Sequence, residues 1–229
     1  MKTLTERMRK LRLTPLKLGV HAAAIFLIAW LLYDYFTGNL TVNPIQAATQ
    51  RSGRYAIAFL TLSLAATPAN TFLRFRQALT VRRMLGLYAF MFASLHVLLF
   101  VGVDYRFDFP TLIDEVLFKR YILMGLSAML ILIPLAITSF RWWMKRMGRN
   151  WTRLHRLVYL AGTLVVIHYT WAIKGDVTSL QGEITMPLFY AFSVALLLIA
   201  RLPASRRAAS HLHYRLSLRK PRPARTTSG

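Results

Sequence analysis

Residues Met84 to Val103 read MLGLYAFMFASLHVLLFVGV, twenty residues without an Asp, Glu, Lys or Arg. A helix needs ~20 mostly apolar residues to cross the hydrocarbon core of a bilayer, so this stretch predicts a transmembrane helix. Arg82 and Arg83 stand just before it and Asp104 just after. Within it sits His96. An ionisable side chain at membrane depth is costly, and by default marks a functional site.

Five further apolar windows flank this one. Together the expected spans are 18–36, 55–73, 84–103, 121–140, 154–173 and 186–202, the last short but uninterrupted. The window 55–73 is the least apolar and carries Thr67-Pro68 near its end; Pro134 is expected to kink the fourth helix. A chain of 229 residues that is 55% hydrophobic, with mean hydropathy +0.41, suits one compact membrane domain better than a soluble one. The predicted fold is an all-α integral membrane bundle of six helices over 18–202. A basic segment, 1–17, precedes it and a basic tail, 203–229, expected to be disordered, follows. Neither an internal repeat nor a cleavable signal peptide is evident.

Charge sets the expected orientation. The first 17 residues, the 73–83 turn, the 141–156 turn and the tail from Arg201 hold 24 of the 30 Lys and Arg, with Glu6 the one acidic residue among them. The intervening loops, counted with Asp34 near the end of the first span, hold the other 6 basic residues and 7 of the 8 acidic ones. The positive-inside rule puts the basic set, and with it both termini, in the cytoplasm. The net charge of +22 is therefore read as topology and contact with the lipid bilayer, not nucleic-acid binding. Trp142, Trp143 and Trp151 around the third basic turn suit an interfacial aromatic belt. The absence of cysteine excludes disulfides, cysteine-ligated zinc, iron–sulfur clusters and thioether-linked haem.

The histidines carry the chemistry. Of six, His211 and His213 fall in the basic tail, while His21, His96, His155 and His168 fall in or at the ends of spans. By chain direction His96 and His168 share the outer depth on two different helices. A neutral imidazole is a good axial ligand, and two of them clamp one haem iron. His155 lies at the inner end of the fifth span, 13 residues before His168. That is about 20 Å of helix rise and roughly 140° short of four whole turns. His155 is thus a candidate ligand of a second, inner haem, and His21 could serve that haem, a quinone pocket, or a helix-to-helix hydrogen bond. Arg82, Arg83, Arg153 and Arg156 at the inner edge are candidate partners for haem propionates or a flavin phosphate. Gly86 and Gly162 are read either as room for a flat porphyrin or as helix-packing positions.

The run Arg82-Arg83-Met84-Leu85-Gly86-Leu87 leading to His96 resembles the ferric-reductase-like transmembrane family. So do Trp151-Thr152-Arg153-Leu154-His155-Arg156-Leu157-Val158-Tyr159 and Ile167-His168-Tyr169. Within it the chain is most similar to the haem-binding subunits of bacterial methionine sulfoxide reductase systems, over roughly residues 10–205. The resemblance implies an inner-membrane electron conduit carrying one or two b-type haems, with flavin mononucleotide as a further candidate cofactor. Electrons would come from the quinone pool or a cytoplasmic flavin reductase and pass to a periplasmic molybdopterin enzyme that reduces methionine sulfoxide. In other members a histidine occupies the position matching Arg82, which leaves the second inner ligand open between Arg82, His21 and water. The residues after Leu202 hold no GxGxxG unit, so oxidation of a nicotinamide is expected to belong to a partner. Two other readings stand beside this one: a quinol-oxidising cytochrome b subunit of another periplasmic oxidoreductase, and a transporter with structural histidines. The lack of an inverted repeat and the few acidic residues in the spans speak against the transporter.

Overall fold

The computed structural model describes residues 14–173, 184–205 and 207, and those residues are helical with short connections and no strands. Residues 1–13 of the basic N-terminal segment, most of the 174–185 loop and most of the 203–229 tail, with His211 and His213, lie outside the described residues.

Helix α1 spans Pro15–Phe36 and α2 spans Pro44–Leu73. Each starts with proline just inside a capping side chain. Thr14 accepts from the Lys17 N–H at 3.4 Å and Asn43 accepts from the Gln46 N–H at 3.1 Å. Proline suits this place because its missing N–H would have no partner in the first turn. Helix α3, Gln77–Leu98, runs on without a break into a π-helical turn, Leu99–Asp104. After it come α4 (Phe109–Phe118), α5 (Arg120–Ile137), α6 (Arg141–Met147), α7 (Arg149–His155), α8 (Val158–Ala172) and α9 (Thr185–Ile199).

Four segments are long and apolar enough to cross a membrane: α1, α2, α3 with its π turn, and α5. The protein is a multi-pass membrane protein. Helices α8 and α9 have 15 residues each, about 22 Å of rise. The expected fifth span, 154–173, is broken. Arg156 and Leu157 form a tight turn whose N–H groups reach back to Arg153 and Leu154, so His155 ends one helix and His168 belongs to the next. The helical angle worked out between these two histidines therefore does not apply. The 104–120 segment, expected to be a loop, contains α4, an amphipathic helix with Phe109, Ile113 and Leu117 exposed along one stripe and Leu112 buried.

Large apolar side chains such as Phe26, Trp30, Leu126, Leu130, Phe192 and Leu196 face outward, as lipid contact requires. The centre gathers Ala24, Phe59, Leu60, Val81, Leu85, Ala89, Phe92, Leu132 and Ala161 from α1, α2, α3, α5 and α8. Small residues there let helices approach closely, which drives packing where no water is displaced. The most extensive pairing is α2 with α3, followed by α5 with α8; α9 packs on α8 and α2. Pro68 sits inside α2 and removes the N–H that would bond the Leu64 carbonyl. The Arg201 guanidinium, just past α9, donates to that carbonyl and lies 4.8 Å from the centre of the Tyr159 ring. A neighbouring helix thus satisfies the group that proline frees.

Candidate haem site

His96 lies in the last turn of α3, just before the π turn, and His168 lies near the end of α8. The structure brings their rings together, with centroids 6.0 Å apart and planes inclined by 80°. Each ring is held from behind. His96 Nδ1 donates to the Thr49 carbonyl of α2 and His168 Nδ1 to the Tyr121 carbonyl of α5, both at 2.7 Å. A bond at Nδ1 fixes the tautomer, leaving the Nε2 lone pair for a metal.

Glycine makes these contacts possible. A Cβ at Gly53 would lie 3.0 Å from His96 Nδ1, and one at Gly125 would lie 2.7 Å from His168 Nδ1. At Gly125 only a bare backbone lets the imidazole press this closely on the facing helix, whereas at Gly53 a side chain would displace the ring by a few tenths of an ångström. The two arrangements repeat one another. A single displacement along the chain carries Thr49 onto Tyr121, Gly53 onto Gly125 and His96 onto His168. The α2–α3 and α5–α8 pairs are thus two copies of one ligand-presenting unit, a repeat that hydropathy alone did not reveal. Gly86 and Gly162 have a different role: their missing side chains face Ser63 Oγ and Leu64 Cδ1, so they pack α3 and α8 against α2.

A second group gathers toward the other end of these helices. His155 stacks on Trp151, ring centroids 3.9 Å apart, and its Nδ1 donates to the Trp151 carbonyl at 3.1 Å. Trp151 is itself pinned, its Nε1 donating to the Thr138 carbonyl at the end of α5. It is thus a support for His155 as well as an aromatic at the expected interface. Trp142 packs edge-on against Trp143 and receives the Arg146 cation on its face. His155 Nε2 is buried without a hydrogen-bond partner of good geometry, although the ring also lies within reach of the Leu135 backbone. A buried polar nitrogen left in this state calls for a ligand.

Arg82 lies within electrostatic range of the His155 ring and donates to Thr67 Oγ1 at 3.3 Å. Arg83 reaches the Met144 sulfur of α6 at 3.7 Å, and Arg153 and Arg156 are exposed. His21 is not part of this group. Its Nδ1 bonds the Tyr88 hydroxyl at 2.5 Å, and it has no contact with His155 among the described residues.

The facing imidazoles meet the size requirement of an axial pair. Metal–imidazole bonds of about 2 Å on either side of one iron separate the ring centroids by about 6 Å. Among the described residues no cluster of three His, Cys, Asp or Glu could hold a bare ion. A pair of ligands suits a metal that brings its own equatorial nitrogens, as haem does.

A model described as the ferric reductase like transmembrane component matches residues 52–166. The chain belongs to the ferric-reductase-like transmembrane family. Within that family it falls in the MsrQ group. It is 39% identical over 196 residues to the protein-methionine-sulfoxide reductase heme-binding subunit MsrQ of Rhodospirillum rubrum, covering 85% of this chain and 91% of that protein. The MsrQ of Xanthomonas euvesicatoria pv. vesicatoria is 39% identical over 185 residues, with 78% and 82% covered. That of Xanthomonas campestris pv. campestris is 37% identical over 205 residues, with 85% and 91% covered. The matched family segment begins one residue before Gly53 and ends two before His168, so it takes in most of the repeated unit.

Proposed function

We propose that the chain is the haem-carrying electron-transfer subunit of a methionine sulfoxide reductase system in a bacterial inner membrane. The observation that carries this reading is the pair of half-buried imidazoles brought together from two helix pairs, each tied at Nδ1 to a carbonyl of the helix paired with its own and each backed by a glycine. His96 and His168 would hold one b-type haem. His155, whose Nε2 lacks a partner of good geometry, would hold a second in the other leaflet. Haem supplies one-electron chemistry when bound. The chain's own residues fix the imidazole tautomers, exclude water with the aromatic and aliphatic centre, and place cations at the inner edge. A protonated guanidinium is a poor iron ligand, so Arg82 serves as a propionate or phosphate contact.

Six spans with cytoplasmic termini are part of this reading. The short α8 and α9 would be accommodated by local thinning and flanking polar residues. Flavin mononucleotide is a further candidate cofactor at the arginine-rich edge. Electrons would come from the quinone pool or a cytoplasmic flavin reductase and leave for a periplasmic MsrP-type molybdopterin enzyme. The outer loops mix Asp104, Asp108, Asp114 and Glu115 with Arg106, Lys119 and Arg120, which suits a small, transient docking surface.

The test is reconstitution of the chemically reduced protein with the purified periplasmic reductase and methionine sulfoxide. Reoxidation is expected only when both are present. Equal reoxidation by sulfoxide alone, or none with the reductase, would overturn the assignment.

A further inference from the structure

We propose that Ser52 sets the reduction potential of the haem between His96 and His168 by sharing one carbonyl oxygen with His96. The proposal rests on the haem reading above. Ser52 is fully buried, with 0% of its surface exposed, and its hydroxyl donates to the Thr49 carbonyl at 2.9 Å. That oxygen also accepts from His96 Nδ1 at 2.7 Å. It lies one helical step, four residues, before Gly53, whose N–H is its partner in the α-helical ladder. A carbonyl oxygen has two lone pairs. Three donors therefore compete for two sites, and the bond to His96 is weakened by the hydroxyl beside it.

The second unit lacks this competition. The displacement that carries Thr49, Gly53 and His96 onto Tyr121, Gly125 and His168 carries Ser52 onto Met124, which has no hydroxyl. The two axial arms have the same carbonyl, the same glycine and the same 2.7 Å bond, but the His96 arm carries one extra donor. The partner of a ligating imidazole controls its basicity. A strong Nδ1–H···O bond makes the imidazole a better donor and favours ferric iron, whereas a weakened one favours ferrous iron. The Ser52 hydroxyl thus raises the potential of this haem, and does so through His96 alone. No atom is transferred; the hydroxyl changes only the balance between two oxidation states.

The experiment uses the full chain in detergent with its haem, titrated spectroelectrochemically, with the haem-to-protein ratio measured on the same samples. Ser52→Ala is expected to keep its haem and shift to a lower potential. Poised at the wild-type midpoint, its reduced-to-oxidised ratio should fall about two- to fivefold, the range for strengthening a hydrogen bond worth ~1 kcal/mol. Ser52→Thr restores the hydroxyl and should titrate as wild type. Met124→Ser adds the missing donor to the other arm and should shift to a higher potential. An unchanged or raised potential in Ser52→Ala overturns the proposal. If Ser52→Ala loses haem, Met124→Ser decides: a raised potential sustains the mechanism and an unchanged one refutes it. Wild-type protein without haem, or His96→Ala and His168→Ala with wild-type spectra, would sink the haem reading and this proposal together. A haem-replete Ser52→Ala with an unmoved potential would sink this proposal alone.

Discussion

Gly125→Ala tests whether the glycines hold the imidazoles in place. The added methyl would stand 2.7 Å from His168 Nδ1, 2.9 Å from Cε1 and 3.2 Å from Cγ, so the whole near edge of the ring is in the way. Ordinary contact begins near 3.4 Å, and the ring must retreat by several tenths of an ångström. Gly125 lies one helical turn above Tyr121 on the same helix, so that retreat also stretches the 2.7 Å bond from Nδ1 to the Tyr121 carbonyl past good geometry. Overpacking costs ~1–3 kcal/mol and a lost hydrogen bond ~1 kcal/mol. Replacing glycine by alanine inside a helix returns ~1 kcal/mol. The net expectation is ~1–3 kcal/mol of destabilisation, concentrated on the axial ligand. Gly53→Ala is the internal comparison. Its methyl meets His96 Nδ1 at 3.0 Å and Cγ at 3.7 Å, so a smaller shift suffices and the terms nearly cancel. Haem-to-protein ratio and thermal unfolding followed at the haem absorption should rank wild type and Gly53→Ala above Gly125→Ala. Gly125→Ala as stable and haem-rich as wild type would refute the argument.

His96→Ala or His168→Ala should abolish the low-spin signal of the site they share, while His211→Ala leaves the spectrum unchanged; all haem should extract into acid acetone because the chain has no cysteine. Loss of His155 should remove the second haem component and slow reduction by the donor while the His96–His168 signal persists; full activity with an unaltered spectrum would end its role as a ligand. A reporter active only in the periplasm should work when fused after Asp108 and fail after Arg149, and the reverse would invert the assigned sides. Arg201→Ala should lower the unfolding temperature by an amount matching ~1–3 kcal/mol for an orphaned carbonyl. Adding Pro68→Ala should recover most of it by restoring a ladder donor, and additive losses in the double variant would rule out the coupling.

Much of the helical content was legible because lipid exposure makes spans read as uninterrupted apolar runs, and Met84 to Val103 falls inside the observed Gln77–Asp104 segment. The pairing of His96 with His168 was legible from chain direction and depth alone. What holds them was not, since both Nδ1 partners are backbone carbonyls, and any residue type could have supplied them. A signal did exist in the equal spacing of Gly53 to His96 and Gly125 to His168, visible once the two segments are overlaid. The break after His155 escaped because Arg156-Leu157 contains neither proline nor glycine; it is made by two short backbone bonds. Helix α4 escaped because Asp108, Asp114, Glu115 and Lys119 dominate a charge-based reading, whereas its order comes from the four-residue rhythm of Phe109, Ile113 and Leu117.

The bond between Arg201 and Leu64 bears on how the chain is made. Its donor lies 137 residues downstream of its acceptor. During synthesis α2 reaches the bilayer carrying a main-chain oxygen that Pro68 has deprived of its usual partner, and the guanidinium emerges only after the last hydrophobic helix. A chain that ended before Arg201 would lack the guanidinium that this oxygen accepts from. The contact that satisfies α2 is therefore supplied from beyond α9, the last of the described helices to be synthesised.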